Sequence, residues 1–195
     1  MESEPAAAGM VQREFPKPSR DPWVRRPRRH VRTAFGAADP IWCDAVTEIL
    51  FYHLQRQPLE KVLPSLVEKS LERGWQAAIQ AVSEERLQAL DDGLWTYTDE
   101  SFLPHGTDRD TDAASQPVVL TLRETNPNGA SIRFLVEGAE LPEDAERYQR
   151  ICILFDGTDT DALLHAREQW RGAKAAGHAI AYWQQDEGGR WTKKA

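Results

Sequence analysis

Glu48-Ile49-Leu50-Phe51-Tyr52-His53-Leu54, followed after a polar break by Pro58, is the stretch that decides the fold. Its run Ile49–Tyr52 is continuously apolar and rich in β-favouring side chains, as expected for a strand buried on both faces. Pro58 then opens a helix, because its fixed φ suits the first turn. Leu59, Val62, Leu63, Leu66, Val67 and Leu71 follow at helical spacing, and Gly74 is the expected stop. Pro64 falls inside this helix, where a kink is expected. A buried strand leading into an amphipathic helix is the first half of a βαβ unit.

The alternation continues outward from there. Trp75–Val82 predicts a second apolar strand, and Ser83 caps a helix whose first turn carries Glu84 and Glu85 at the positive end of the dipole. Leu87, Leu90, Leu94 and Trp95 form its apolar face. Residues 106–116 read as a polar loop. Val118–Arg123 and Ser131–Val136 read as strands joined in a hairpin across Asn126-Pro127-Asn128-Gly129. Pro142–Gln149 predicts a short helix, Ile151–Phe155 a buried strand, and Thr160–Ala176 a helix stopped by Gly177. His178–Trp183 predicts a last strand before a polar tail. This order points to an α/β domain over residues 46–195: a Rossmann-like three-layer sandwich on a mixed, mostly parallel sheet.

Residues 1–45 differ in kind. They hold six of the twelve prolines and the cluster Arg25-Arg26-Pro27-Arg28-Arg29, without periodicity, so a disordered Pro/Arg-rich extension is expected. Val46 opens the domain, and GTG encodes valine internally yet also initiates translation in bacteria. A native start near Val46 is therefore a further expectation. The formal charge is −7, unevenly spread: residues 1–45 carry eight Arg/Lys against six Asp/Glu, and the remainder sixteen against twenty-five. So acidic a domain does not hold nucleic acid through bulk charge, and contact with DNA is expected mainly through a protein partner. The chain shows no apolar run of membrane-spanning length and no secretory signal, which predicts a cytoplasmic protein. Cys43 and Cys152 have no metal-like spacing and read as free thiols.

Catalytic and cofactor signatures fail in turn. There is no Gly-x-x-x-x-Gly-Lys-Ser/Thr, and no Gly-x-Gly-x-x-Gly follows a strand, so no cofactor is expected. Asp108-Arg109-Asp110-Thr111-Asp112 begins like a calcium loop, but its sixth position is Ala113 and its twelfth Val119. The loop from Asp156 fails likewise, with Asp161 and Arg167 at those positions. The histidines form no ligand pair. His105, after Pro104, reads as a structural hydrogen-bonding residue. An enzyme of hydrolase or nucleotide-binding type using Asp156, Asp159 or His105 is the competing class, and DNA contact through the Arg cluster is a third.

Two constellations suit protein binding instead. Arg167, Trp170, Arg171 and Lys174 fall at i, i+3, i+4 and i+7, on one helix face. A cationic stripe around one aromatic fits an acidic peptide with an apolar side chain. The same pattern also fits an ordinary helix whose cations favour its C-terminal end and whose Trp packs in the core. The second constellation is Trp95 with Phe102, within Leu94-Trp95-Thr96-Tyr97-Thr98-Asp99-Glu100-Ser101-Phe102-Leu103-Pro104-His105. It reads either as a partner-binding surface or as core.

Three segments resemble the chi subunit of bacterial DNA polymerase III holoenzyme, over about residues 46–183. They are Glu48–Leu54; Leu90-Asp91-Asp92-Gly93-Leu94-Trp95 with Glu100–His105; and Ala166-Arg167-Glu168-Gln169-Trp170-Arg171 with Ala176-Gly177. The resemblance implies a Rossmann-like fold without catalysis and a role in DNA replication. It implies binding of the acidic C-terminal tail of single-stranded DNA-binding protein through Arg167, Trp170 and Arg171. It also implies binding of the psi subunit, which links chi to the clamp loader, through Trp95 and Phe102. The chain departs from that pattern at Leu163, where some members carry a basic residue. Lys174 is the expected compensation. Residues 1–45 have no counterpart in the family.

Overall fold

The computed structural model describes residues 47–98 and 102–195. The expectations for residues 1–45, Val46 and Cys43 lie outside the described residues.

One eight-stranded sheet organises the chain, in the order β3-β4-β2-β5-β6-β1-β7-β8. Its strands are β1 (Glu48–Leu54), β2 (Ala77–Gln80), β3 (Gly106–Thr107), β4 (Val118–Thr121), β5 (Ile132–Val136), β6 (Arg150–Asp156), β7 (Ala179–Gln185) and β8 (Trp191–Lys193). All pairings are parallel except β7–β8. The sheet is therefore mixed and mostly parallel, as the βαβ pattern implied. Helices α1 (Leu59–Leu71) and α2 (Glu84–Thr96) cover one face, and α3 (Thr160–Ala175) covers the other. That makes three layers.

Alternation along each strand feeds two cores. On one face Leu50, Tyr52, Ile79, Phe134 and Leu154 meet Val62, Leu63, Leu66 and Val67 of α1 and Leu87, Leu90 and Leu94 of α2. On the other, Ile49, Phe51, Leu135, Ile153 and Phe155 meet Ala166 and Ala173 of α3. The local signals hold: Ser83 Oγ accepts the Arg86 N–H at 3.2 Å, capping α2. Pro64 lies within α1. Asp159, weighed in the sequence only as a candidate enzyme residue, caps α3 by accepting from the Asp161 N–H at 2.8 Å.

The structure corrects four segments. The strands at 118–123 and 131–136 do not form a hairpin: β4 and β5 both run parallel to β2, which lies between them. Both are buried at every position, which suits interior strands of a parallel sheet and not a half-exposed hairpin. The turn-forming Asn126 and Asn128 instead close a return without a helix. Asn128 Nδ2 donates to the Ala77 and Gln116 carbonyls, and Asn126 Oδ1 accepts the Ala130 N–H. Arg133, fully buried, clamps that return to the sheet. Its guanidinium donates to Gln80 Oε1, the Tyr148 hydroxyl and the carbonyls of Arg123, Glu124 and Thr125. A buried cation without a carboxylate is tolerated because carbonyl dipoles satisfy its donors.

Pro142–Gln149 holds a single 3-10 turn at Ala145–Arg147, not a helix. The polar loop at 106–116 contains β3 and a 3-10 turn at Ala113–Ser115. The polar tail contains β8, which returns across a tight turn where Asp186 Oδ1 accepts from Gly188 and Arg190.

Candidate functional site

β1, β6 and β7 place Phe51, His53, Phe155 and Tyr182 on the α3 side of the sheet, since residues two apart share a face. With Leu163, Arg167 and Trp170 from α3 they line a groove of about 560 Å³. Trp170 is half-buried, its ring edge-on to Phe51 at 5.0 Å and to Tyr182 at 6.1 Å. Such aromatic geometry fixes a ring more firmly than area alone. Arg167 is exposed at the rim, and its positive charge acts on Tyr182, opposing the burial that pushes that phenol's pKa up.

His53 forms the polar floor. A 2.6 Å hydrogen bond joins its Nδ1 to the Tyr182 hydroxyl, and its ring stacks on Phe155 at 5.3 Å. Burial pulls its pKa below 6.5, against the opposing effects of the Gly157 backbone and the Asp156 charge. Gly157 is obligatory here. A Cβ at that position would stand 1.6 Å from His53 Nε2 and 2.9 Å from the Leu54 carbonyl oxygen. The turn is fixed by Gly157 N–H donating to the Leu54 carbonyl at 2.7 Å. It is also held by Asp156 Oδ1, which accepts from the Thr158 N–H and hydroxyl. Those two bonds hold the Asp156 carboxyl below its usual range.

Of the four α3 residues singled out by spacing, Arg167 and Trp170 meet at the groove. Arg171 and Lys174 are exposed further along the helix and do not line it. Leu163 lines the groove as an apolar wall. His53, Phe155, Gly157 and Tyr182 were not singled out in the sequence. Strand alternation places each on the correct face, but nothing local shows that three strands, one of them over a hundred residues away, converge there.

The second constellation lies across the sheet. Trp95, near the end of α2, is 53% exposed and Phe102 is 65% exposed, with ring centroids 5.3 Å apart. Neither is a core residue. His105 lies beneath, buried, with its ring 4.8 Å from Trp95. Its Nδ1 is 2.7 Å from the Leu103 carbonyl and its Nε2 3.2 Å from Asp91 Oδ1. The Nδ1 bond braces the segment after Phe102, the structural hydrogen-bonding role expected of it, and sets the ring against α2. Ser101 lies outside the described residues.

Another depression, of about 420 Å³, opens between the carboxyl ends of β1 and β6. In open α/β sheets this is where nucleotides sit. Here it is lined by Glu60, Glu137 and Asp156 against Arg56 and Arg86. Arg86 already pairs with Glu60 at 2.7 Å and Glu137 at 2.6 Å. Excess carboxylate and an engaged guanidinium disfavour a phosphate group. Among the described residues no cluster of three His, Cys, Asp or Glu side chains could hold a metal ion. Cys152 is fully buried, and burial pushes its thiol up to about 12, so it is not a nucleophile. No described helix is long and apolar enough to cross a membrane.

Comparison with known proteins bears on the same segments. The family described as "DNA polymerase III chi subunit, HolC" matches residues 46–181, which runs from β1 into the start of β7 and includes both aromatic constellations. "Probable DNA polymerase III subunit chi" from Rickettsia prowazekii (strain Madrid E) is 28% identical over 111 residues, covering 54% of this chain and 67% of that protein. With most of the folded domain matched in this way, the chain belongs to the chi subunit family of DNA polymerase III, an accessory component in DNA replication.

Proposed function

We propose that this protein is a non-catalytic adaptor of the replicative polymerase, acting in the cytoplasm. Its α3 groove takes the acidic C-terminal tail of single-stranded DNA-binding protein. Its Trp95–Phe102 surface takes the psi subunit or another clamp-loader component. DNA is met mainly through these partners.

The observation that carries the first contact is Arg167 at the rim of an aromatic groove, with Arg171 and Lys174 exposed along the same helix. An apolar side chain of the tail would enter between Trp170 and Tyr182. Carboxylates of the tail would meet the guanidinium groups, where charge-assisted hydrogen bonds contribute about 1.5–3 kcal/mol each. Many tails on coated DNA would raise the effective affinity through multivalency.

Fluorescence anisotropy of a labelled tail peptide with the full chain tests this. Binding should weaken with added NaCl, because exposed charge pairs are screened. The Arg167→Ala, Arg171→Ala double variant should lose at least about tenfold in affinity. No binding at about 200 μM protein, an affinity weaker than roughly −5 kcal/mol, would remove this reading.

A further inference from the structure

The Trp95–Phe102 face has an electrostatic character that its aromatic content does not require. Asp91 and Asp92 lie one turn before Trp95 on α2, at i−4 and i−3, and so share its side of the helix. The last turn of α2 contains no basic residue. Helix C-termini carry a partial negative charge that Lys or Arg usually offsets, and here nothing on the helix does so. At the same end, Glu68 of α1 accepts the Tyr97 hydroxyl, bringing another carboxylate close to the helix terminus. Asp91 is engaged by His105 at 3.2 Å, whereas Asp92 is exposed and meets only the neutral Gln88 amide at 3.2 Å among the described contacts.

Two exposed aromatic rings beside an exposed carboxylate, at a helix end with no basic residue of its own, make a receptor for a cation. The face of an indole attracts guanidinium or ammonium, and a carboxylate within reach holds the same group by a hydrogen bond. An uncharged apolar partner would gain area here but would desolvate Asp92 with no cation to offset its charge.

We infer that the Trp95–Phe102 surface binds a partner segment carrying a Lys or Arg beside an apolar side chain, the cation lying on Trp95 against Asp92 and the apolar group on Phe102. This rests on the proposal that a clamp-loader protein occupies this face, and names the chemistry it must bring. The groove at Arg167 calls for the opposite chemistry, so the two sites exclude each other's ligands by charge.

The test is binding of the fluorescently labelled full chain to the purified clamp-loader assembly of the same organism. It compares wild type with Trp95→Ala, Phe102→Ala, Asp92→Asn and Asp92→Lys. All three substituted positions are exposed, and the urea midpoint of each variant checks that it folds. The expected result is loss of binding in both aromatic variants, a few-fold loss in Asp92→Asn and at least about tenfold loss in Asp92→Lys, with binding weakened by NaCl. Loss in the aromatic variants with unchanged or tighter binding in Asp92→Lys would overturn the cationic partner while leaving the occupied face intact. Wild-type affinity in all four variants would overturn the placement of the clamp loader on this face, and this inference with it. Self-association of the chain at micromolar concentration, abolished by Trp95→Ala, would make a second copy the occupant and would also overturn it.

Discussion

Trp170 and Trp95 both end up beside charged residues on a helix, yet one is built into the fold and the other is laid upon it. Trp170 packs edge-on against Phe51 and Tyr182 and forms a wall of the groove. Trp95 is 53% exposed and touches mainly Phe102 and His105. A site made from core residues is rigid and preorganised, and its ligand meets a shape already present. A site made from exposed rings is completed by its partner. The sharpest way to break this comparison is truncation. Trp170→Ala should lower stability by about 2–4 kcal/mol, somewhat less than deleting a fully buried Trp because its ring is half-buried. Trp95→Ala should stay within about 0.5–1 kcal/mol of wild type. Urea unfolding of both variants checks this, and equal losses would mean that Trp95 is a packing residue after all.

Gly157 sharpens the contrast from the groove side. Its backbone lies over His53 because it has no side chain, and the α2 face has no equivalent constraint: a Cβ added at Gly93, within α2, meets nothing within 4 Å. Gly157→Ala must displace the His53 ring from Phe155 and from the Tyr182 hydroxyl. Overpacking of this kind typically costs about 1–3 kcal/mol. The expected outcome is a lowered unfolding midpoint together with weakened tail-peptide binding, whereas Gly93→Ala should be neutral or slightly stabilising, as glycine in a helix interior costs up to about 1 kcal/mol relative to alanine. Tail binding unchanged in Gly157→Ala would show that the groove floor is not part of the site.

The sequence carries the α3 and α2 sites to different depths. Helical spacing is enough to put Arg167, Trp170, Arg171 and Lys174 on one face, because four residues on one helix need no long-range information. It does not show which of them reach the groove, since that depends on how far α3 settles onto the sheet, and small Ala166 and Ala173 set that distance. His53, Phe155 and Tyr182 come from three strands, and their meeting depends on strand order, which periodicity does not encode. The same limit explains the mistaken hairpin. Asn126-Pro127-Asn128-Gly129 has strong turn chemistry, but turn chemistry does not tell a tight hairpin from a return that passes a third strand. The continuous apolar run Val118-Val119-Leu120 was the better signal, as expected for a strand buried on both faces, and Arg133, a cation within the other apolar run, is the residue that holds the helix-less return to the sheet.

His53 offers the finest test of the difference between a buried site and an exposed one. Desolvation is the largest influence on its pKa and lowers it from 6.5, so the folded state resists its protonation. The unfolded chain binds that proton more readily. Stability contributed by neutral His53 is therefore fully present above pH 6.5 and declines as pH falls below it, until the folded-state pKa is reached. Replacing the ring with Gln removes this titration, so His53→Gln should flatten the loss of stability between pH 7 and the acid side of 6.5. The measurement is the urea midpoint as a function of pH, paired with an NMR titration of the His53 ring, which should protonate below the value for a free imidazole. A ring that titrates at or above 6.5 would mean that water reaches the groove floor, and the groove would then be as open as the surface around Trp95.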